Sequence, residues 1–238
     1  MNDGKKLQNE TAKALAEGRE IDAFLDKVRS APQPSGGGRG RLIFAMDATA
    51  SRQPTWDRAC HLQGEMFLST QALGGLEVQL VFYRGFKECK TSKWMTDSPA
   101  LLKAMTSVAC LAGQTQIGRV LSHALTETEK RQVNALVFVG DAMEEDVDHL
   151  GHLAGQLGLK GLPCFIFHEG RDPIARNAFE QIAKLSGGAC CSFDGSSAQQ
   201  LKDLLSAVAV YAAGGRKALA DFSKARGGAT LQLTHQIR

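Results

Sequence analysis

The chain of 238 residues is long enough for one sizeable domain with extensions and short for two full domains. Its hydrophobic content of 43% and charged content of 22% lie near the globular average, so it can bury a core. The formal charge of +3 is too small, with too few interleaved aromatic residues, to favour nucleic acid as a partner. No stretch reaches the roughly 18 apolar residues of a membrane span, and we expect no membrane partner.

Residues 1–40 form the first predicted region. Residues 9–30 are predicted to be a helix, because apolar residues return at steps of three and four positions: Leu15, Ile21, Phe24, Leu25 and Val28. The Gly- and Pro-rich residues 31–40 then act as a flexible linker. Three roles for the helix remain open, namely packing on its own domain, pairing in a homodimer and docking into a partner groove.

Strands and helices alternate in the second region, residues 41–213. We predict strands at 42–46, 76–83, 88–95, 135–139, 163–167 and 189–193, and helices at 55–73, 99–108, 117–128, 147–157, 173–185 and 198–212. The very short connection around Gly85 excludes a parallel arrangement of the second and third strands. The pattern indicates an α/β domain with a doubly wound, mostly parallel six-stranded sheet and helices on both faces.

The third region, residues 214–238, is a basic extension interpreted as a solvated tail. It carries five Lys or Arg residues against Asp221 alone. One more helical piece is expected, then a break at Gly227 and Gly228. Residues 230–237 alternate as in a strand, although a helix fits them nearly as well.

Six cysteines show neither a C-x-x-C pair nor regular spacing, and no apolar signal segment opens the chain. A reduced, cytoplasmic compartment is therefore expected. The adjacent Cys190 and Cys191 are either a redox pair or two core thiols. The second interpretation is favoured because neighbouring strand residues point to opposite faces.

Two predicted strands end in an aspartate, Asp47 and Asp141. Open α/β sheets bind ligands outside the carboxyl ends of their strands, where the strand order reverses. Thr49 and Ser51 follow Asp47 at steps of two, so an extended segment points the three side chains the same way. Thr115, in a loop before a helix, adds a hydroxyl or simply caps that helix.

Two carboxylates and three hydroxyls form an all-oxygen set, which suits a hard cation such as Mg²⁺, with Mn²⁺ or Ca²⁺ as alternatives, and disfavours zinc. Hydroxyls are uncharged donors, so the ion keeps much of its positive charge. Such an ion attracts an anionic ligand, and the Asp or Glu of a protein partner supplies one.

Three segments carry a resemblance to a known family: Asp47-Ala-Thr-Ala-Ser51, Gly113-Gln-Thr-Gln-Ile-Gly118 and Val139-Gly-Asp141. Together they resemble the metal-ion-dependent adhesion site (MIDAS) of von Willebrand factor type A (VWA) domains. The resemblance covers about residues 41–212 and implies the strand order 3-2-1-4-5-6 with strand 3 antiparallel. The chain departs from the family pattern at Thr49, where serine is usual, and at Ala142, where glycine is common.

The resemblance also implies a ligand set. Thr49, Ser51 and Thr115 would contact the metal directly, Asp47 and Asp141 would bind it directly or through water, and a partner carboxylate would complete the shell. The partner-binding rim is predicted to be Gln114, Gln116, Glu144 and Glu145.

The favoured function is thus a non-catalytic, Mg²⁺-dependent protein-binding module. One alternative is a metal-assisted hydrolase with Glu144 or Glu145 as general base. A second alternative is a metal-free scaffold acting through the N-terminal helix. A dehalogenase-type phosphatase is disfavoured. Its chemistry needs a second aspartate two residues after Asp47, where this chain has Thr49.

The helix after Asp141 is a weaker candidate for a second metal site. His149 and His152 share a helix face at a spacing of three. The favoured interpretation is that the histidines are exposed and that the nearby acidic residues interact with the helix dipole.

Overall fold

Six strands form one sheet in the order β3-β2-β1-β4-β5-β6 in this computed structural model, which describes residues 19–20, 23–28, 30–31, 39–193 and 198–234. The strands are β1 (Gly40–Asp47), β2 (Leu76–Arg84), β3 (Glu88–Met95), β4 (Ala135–Gly140), β5 (Cys164–Glu169) and β6 (Ala189–Phe193). Only the β2–β3 pair is antiparallel. The predicted strand order and direction are therefore confirmed.

The central strands are buried because helices cover both faces of the sheet. All residues of β1 and β4 are buried, as their continuous apolar runs predicted. Alternate residues serve two cores. Phe44 lies in one with Trp56, and Ile43 lies in the other with Phe138.

Seven helices are described within residues 39–234: α1 (Gln53–Leu62), α2 (Gly64–Thr70), α3 (Ser98–Thr106), α4 (Ile117–Lys130), α5 (Val147–Leu159), α6 (Pro173–Ser186) and α7 (Ala198–Thr234). A single helix over 55–73 was predicted, but Gln63 separates α1 from α2. Gln63 is buried, and its Nε2 donates to Ser98 Oγ at 2.9 Å, so a contact with α3 fixes the interruption.

The predicted break in the C-terminal extension is wrong, and of the two interpretations left open for residues 230–237 the helix applies to residues 230–234. The helix α7 continues to Thr234 without a break at Gly227 and Gly228, and residues 230–234 are helical; residues 235–237 lie outside the described part. Glycine lowers helix propensity by about 1 kcal/mol but does not forbid a helix. The non-helical residue is Gly215, with φ 68° and ψ −163°.

The start of the extension packs on the domain. Leu219 is fully buried in the core that contains Trp56, and Arg216 Nε donates to the Ala31 carbonyl. This stretch is therefore part of the folded unit and not a solvated tail. Within the described ranges, no helix combines the length and apolarity needed to cross a bilayer.

The described part of the N-terminal helix lies against its own domain. Phe24, Val28 and Ala31 are buried, and the Phe24 ring meets Phe165 and Phe167 edge-on at centroid distances of 6.2 and 5.7 Å. These apolar side chains therefore pack against the domain of their own chain. Leu15, Ile21 and linker residues 32–38 lie outside the described residues.

All six cysteines are free, and the vicinal pair faces two different cores. Cys191 belongs to the core with Phe165, whereas Cys190 packs against the core with Phe179. Burial raises the pKa of each thiol to about 12, so both stay protonated at neutral pH. This arrangement agrees with two core thiols on opposite faces of a strand.

Candidate metal centre

The reversal of strand order lies between β1 and β4. These strands are parallel neighbours, with Met46 opposite Val139, so both chains continue past the same edge of the sheet. The connection from β1 leads to α1, which packs in the core containing Trp56, and that from β4 leads to α5, which packs in the opposite core through Leu150. The diverging connections open a crevice at this edge.

A cavity of about 280 Å³ occupies this crevice. All five predicted metal ligands line it: Asp47, Thr49, Ser51, Thr115 and Asp141. Gly113 and Glu144 contribute further to its wall. The cavity therefore brings together three segments that are far apart in the sequence.

Asp47 is the most buried acidic residue of the cavity, with 1% of its surface exposed. Its Oδ1 accepts the Thr49 backbone N–H at 2.7 Å, while its buried Oδ2 has no hydrogen-bond partner among the described residues. Burial raises the pKa of this carboxyl above its ordinary value, and the charge of Asp141 acts in the same direction. An unpartnered buried carboxylate oxygen calls for a proton or a cation.

Ser51 and Asp141 approach each other from the segments that follow β1 and β4. Ser51 Oγ donates to Asp141 Oδ2 across 3.4 Å, a long hydrogen bond. Ser51 is exposed at the cavity mouth. The two side chains therefore supply a hydroxyl and a carboxylate oxygen on the same side of the crevice.

Thr115 is held by Glu144 and does not cap α4. Thr115 Oγ1 accepts the Glu144 backbone N–H, and the Thr115 N–H donates to the Glu144 carboxylate, both at 3.3 Å. The Glu145 carboxylate instead accepts the N–H groups of Ile117 and Gly118, the second at 2.9 Å. The loop after β4 thus fixes the Thr115 loop, and helix capping does not explain Thr115.

Arg52 is a site residue that sequence reasoning missed. It is 3% exposed, its Nη1 lies 3.5 Å from Asp141 Oδ2, and its Nη2 pairs with Glu169. Thr55 Oγ1 also donates to Glu169, at 2.5 Å. Glu169 is the last residue of β5, so a third strand ends in an acidic residue. This carboxylate was the signal in the sequence from which a buried arginine such as Arg52 could have been inferred.

The four predicted rim residues divide into two groups. Gln114 and Glu144 are exposed beside the cavity. Gln116 is buried and its Nε2 donates to the carbonyls of Arg84 and Glu88, each at 3.4 Å, while Glu145 is engaged at the start of α4. Gln116 and Glu145 therefore serve the structure around the site, and Glu145 is not free to act as a general base.

The donor set fits a hard divalent cation. Two residues with carboxylates and three with hydroxyls line the cavity, and oxygen ligands of this kind are those that such a cation prefers. Across the described residues, no three His, Cys, Asp or Glu side chains are grouped to hold a metal. His149 and His152 are both exposed, as expected.

Gly113 allows the closest backbone approach at the site. A Cβ added there would lie less than 3.0 Å from the Gly85 backbone. We expect Gly113→Ala to lower the free energy of unfolding by roughly 1–3 kcal/mol, because either the cavity loop or the β2–β3 hairpin must move.

Urea denaturation measures this change, and Gly155→Ala is the matched control. A Cβ at Gly155, inside α5, would meet no atom within 4 Å. That variant should be more stable than the wild type by roughly 0.5–1 kcal/mol. Equal midpoints for Gly113→Ala and the wild type would show that the two loops are not closely packed.

No family model and no curated protein match the sequence. Among solved structures, the SpRpn10 VWA domain matches with a TM-score of 0.55 and 16% identity, over 70% of this chain and 94% of that domain. Proximal thread matrix protein 1 from the mussel byssus, in a structure with a zinc-occupied MIDAS motif, matches with a TM-score of 0.57 and 14% identity, over 72% and 46% of the two chains.

The PilB minor pilin from Streptococcus sanguinis also matches, with a TM-score of 0.54 and 12% identity, over 74% of this chain and 62% of that chain. This chain therefore spans less than two thirds of the thread matrix protein and of the pilin. The comparisons show that the chain has the VWA fold, as the sequence resemblance predicted.

Proposed function

We propose that the chain is a cytoplasmic protein-binding module that captures an acidic residue of a protein partner through Mg²⁺ held in the cavity, and that it catalyses no reaction. One observation carries the proposal: five oxygen-bearing side chains from three distant segments, those of Asp47, Thr49, Ser51, Thr115 and Asp141, line one cavity. The six free cysteines agree with a reducing compartment.

Each residue has a defined task in this proposal. Thr49, Ser51 and Thr115 offer uncharged oxygens, and Asp47 and Asp141 supply negative charge. Bound Mg²⁺ would supply a Lewis acid that accepts the partner's carboxylate. Arg52 offsets part of the charge of Asp141, which limits the negative potential that an approaching carboxylate meets.

Isothermal titration calorimetry with Mg²⁺ tests the proposal. Ser51 is exposed and its hydroxyl makes a single long bond, so Ser51→Ala should fold normally. We expect this variant to bind Mg²⁺ at least about tenfold more weakly than the wild type. In the control Ser107→Ala, an exposed serine loses a bond to the Ala104 carbonyl in α3, and Mg²⁺ affinity should stay unchanged. Absence of Mg²⁺ binding by the wild type would refute the proposal.

A further inference from the structure

The tip of the β2–β3 hairpin displays an aromatic side chain beside the cavity. Phe86 is 76% exposed and follows Gly85, whose carbonyl accepts the Gln114 N–H at 3.2 Å. Gln114 in turn follows Gly113, which lines the cavity. An exposed phenylalanine therefore lies next to the candidate site, where a partner would approach.

The hairpin tip is held in place by several contacts with the segment from Gly113 to α4. Gln116 Nε2 donates to the carbonyls at both ends of the turn, and Arg119 Nη1 donates to the Lys87 carbonyl at 2.8 Å. Lys87 itself has a φ of 66°, in the left-handed region that non-glycine residues seldom adopt. Since its backbone is fixed in this way, the tip presents Phe86 without the entropic cost of ordering a loop on binding.

A second exposed apolar residue, Leu111, belongs to a segment that contacts the wall of the cavity. Leu111 is 47% exposed, and its backbone N–H donates at 3.0 Å to the carbonyl of Ala48, between Asp47 and Thr49. Phe86 and Leu111 thus border the cavity through two segments that contact its wall. Isolated exposed apolar residues are common on protein surfaces, but two of them beside a binding cavity indicate a recognition surface.

The charges around the cavity are distributed unevenly. Lys87 and Arg119 are exposed on the hairpin side, whereas Glu144, Asp146 and Asp148 are exposed on the side of α5. A partner rich in acidic residues is therefore attracted to the hairpin side and repelled from the α5 side. The uneven charge therefore favours a partner that extends from the cavity towards the hairpin.

We propose that a surface formed by Phe86, Leu111, Lys87 and Arg119, here termed the hairpin surface, binds an acidic-apolar peptide segment of the partner. This inference rests on the proposed function, because one carboxylate of the segment occupies the metal cavity. An adjacent apolar side chain of the segment packs on Phe86 and Leu111. Further acidic residues lie beside Lys87 and Arg119.

A synthetic peptide library identifies such segments. Its peptides carry a fixed central glutamate with randomised flanks, and they are selected on the full chain in Mg²⁺ and, separately, in EDTA. We expect selection only in Mg²⁺, with Leu, Ile, Met or Phe enriched close to the fixed glutamate and Asp or Glu enriched beyond it.

Variants of the hairpin surface then test its contribution. Phe86→Ser should weaken the binding of a selected peptide about tenfold, as for a residue at the centre of an interface, and leave Mg²⁺ affinity unchanged. Leu159→Ser is the matched control, because Leu159 is 91% exposed at the end of α5, at the opposite edge of the sheet. Peptide binding by that variant should equal that of the wild type.

The outcomes separate the two proposals. Mg²⁺-dependent selection without apolar enrichment, or equal peptide binding by Phe86→Ser, overturns the hairpin surface and leaves the proposed function standing. A wild-type chain that binds no Mg²⁺ overturns both. Self-association that disappears in Phe86→Ser, measured by size-exclusion chromatography, assigns the surface to a second copy of the chain and also overturns the peptide proposal.

Discussion

Asp47→Asn is expected to make the metal-free protein more stable near neutral pH and to remove its stabilisation by Mg²⁺. Asp47 is almost fully buried, and burial raises the pKa of its carboxyl, so its charge is unfavourable without a cation. Asparagine removes the charge and keeps an acceptor for the Thr49 N–H. We expect a gain on the order of 1 kcal/mol, or roughly 2–4 °C in melting temperature.

The pH dependence has a definite sign. Burial raises the pKa of Asp47 in the folded state above its ordinary value of 3.8, so the folded protein holds this proton more tightly than the unfolded chain does. The resulting stability is fully present below pH 3.8 and is lost as the pH rises through the folded-state pKa. Asp47→Asn lacks this dependence, and its advantage in EDTA should therefore shrink as the pH falls.

Thermal melts in EDTA and in saturating Mg²⁺ measure both effects. The wild type should melt below Asp47→Asn in EDTA and above it in Mg²⁺, because ligand binding to the folded state alone raises stability. Asp57→Asn, at an exposed position of α1, is the control and should follow the wild type in both buffers. An Asp47→Asn variant that is less stable than the wild type in EDTA would contradict the unfavourable charge.

The sheet could be predicted from the sequence because its central strands are marked by patterns within short stretches of residues. The apolar runs of β1, β4 and β5 mark strands that are covered on both sides, and the short turn at Gly85 requires an antiparallel neighbour. The interruption at Gln63 was missed, since it depends on a contact with Ser98, which lies 35 residues away. Such contacts follow from tertiary packing and leave no periodic pattern.

The candidate site was predictable to the extent that its residues form a motif. Asp47, Thr49 and Ser51 share one short segment, and strand order brings Asp141 to the same edge. The sequence could not show that Gln116 and Glu145 bond to neighbouring backbone groups. A polar side chain in such a loop can equally turn outward, and only the folded structure decides between the two. Polar residues near a site serve structure as readily as binding.

The ion pair of Arg52 with Glu169 illustrates what the sequence leaves open. The two residues lie 117 positions apart, and their pairing requires β1 and β5 to end at the same edge on either side of β4. Composition alone places an arginine at the surface, since arginine is seldom fully buried without a partner. Here it lies between two carboxylates, Asp141 and Glu169.

Two variants, one that removes the charge of Arg52 and one that removes the charge of Glu169, are expected to change Mg²⁺ affinity in opposite directions. Arg52→Gln withdraws the positive charge beside Asp141, so Mg²⁺ should bind about tenfold more tightly, which corresponds to about 1.4 kcal/mol. Glu169→Gln removes a negative charge and leaves the guanidinium paired with Asp141 alone. Mg²⁺ should then bind about tenfold more weakly.

Stability should respond differently from affinity. Arg52→Gln leaves Glu169 without its buried cation and should lower the free energy of unfolding by about 3–5 kcal/mol. Glu169→Gln retains an acceptor for Thr55 and should lose less. Calorimetry with Mg²⁺ and urea denaturation on both variants measure the two properties.

The opposite signs distinguish electrostatic control from damage to the fold. If Arg52 acted only by packing beneath the cavity, either substitution would disorder Asp141, and both variants would bind Mg²⁺ more weakly. If its charge sets the potential at Asp141, the less stable variant, Arg52→Gln, binds the cation more tightly. A gain in affinity that accompanies a loss of stability cannot arise from looser packing, because looser packing disperses the ligand oxygens instead of concentrating their charge.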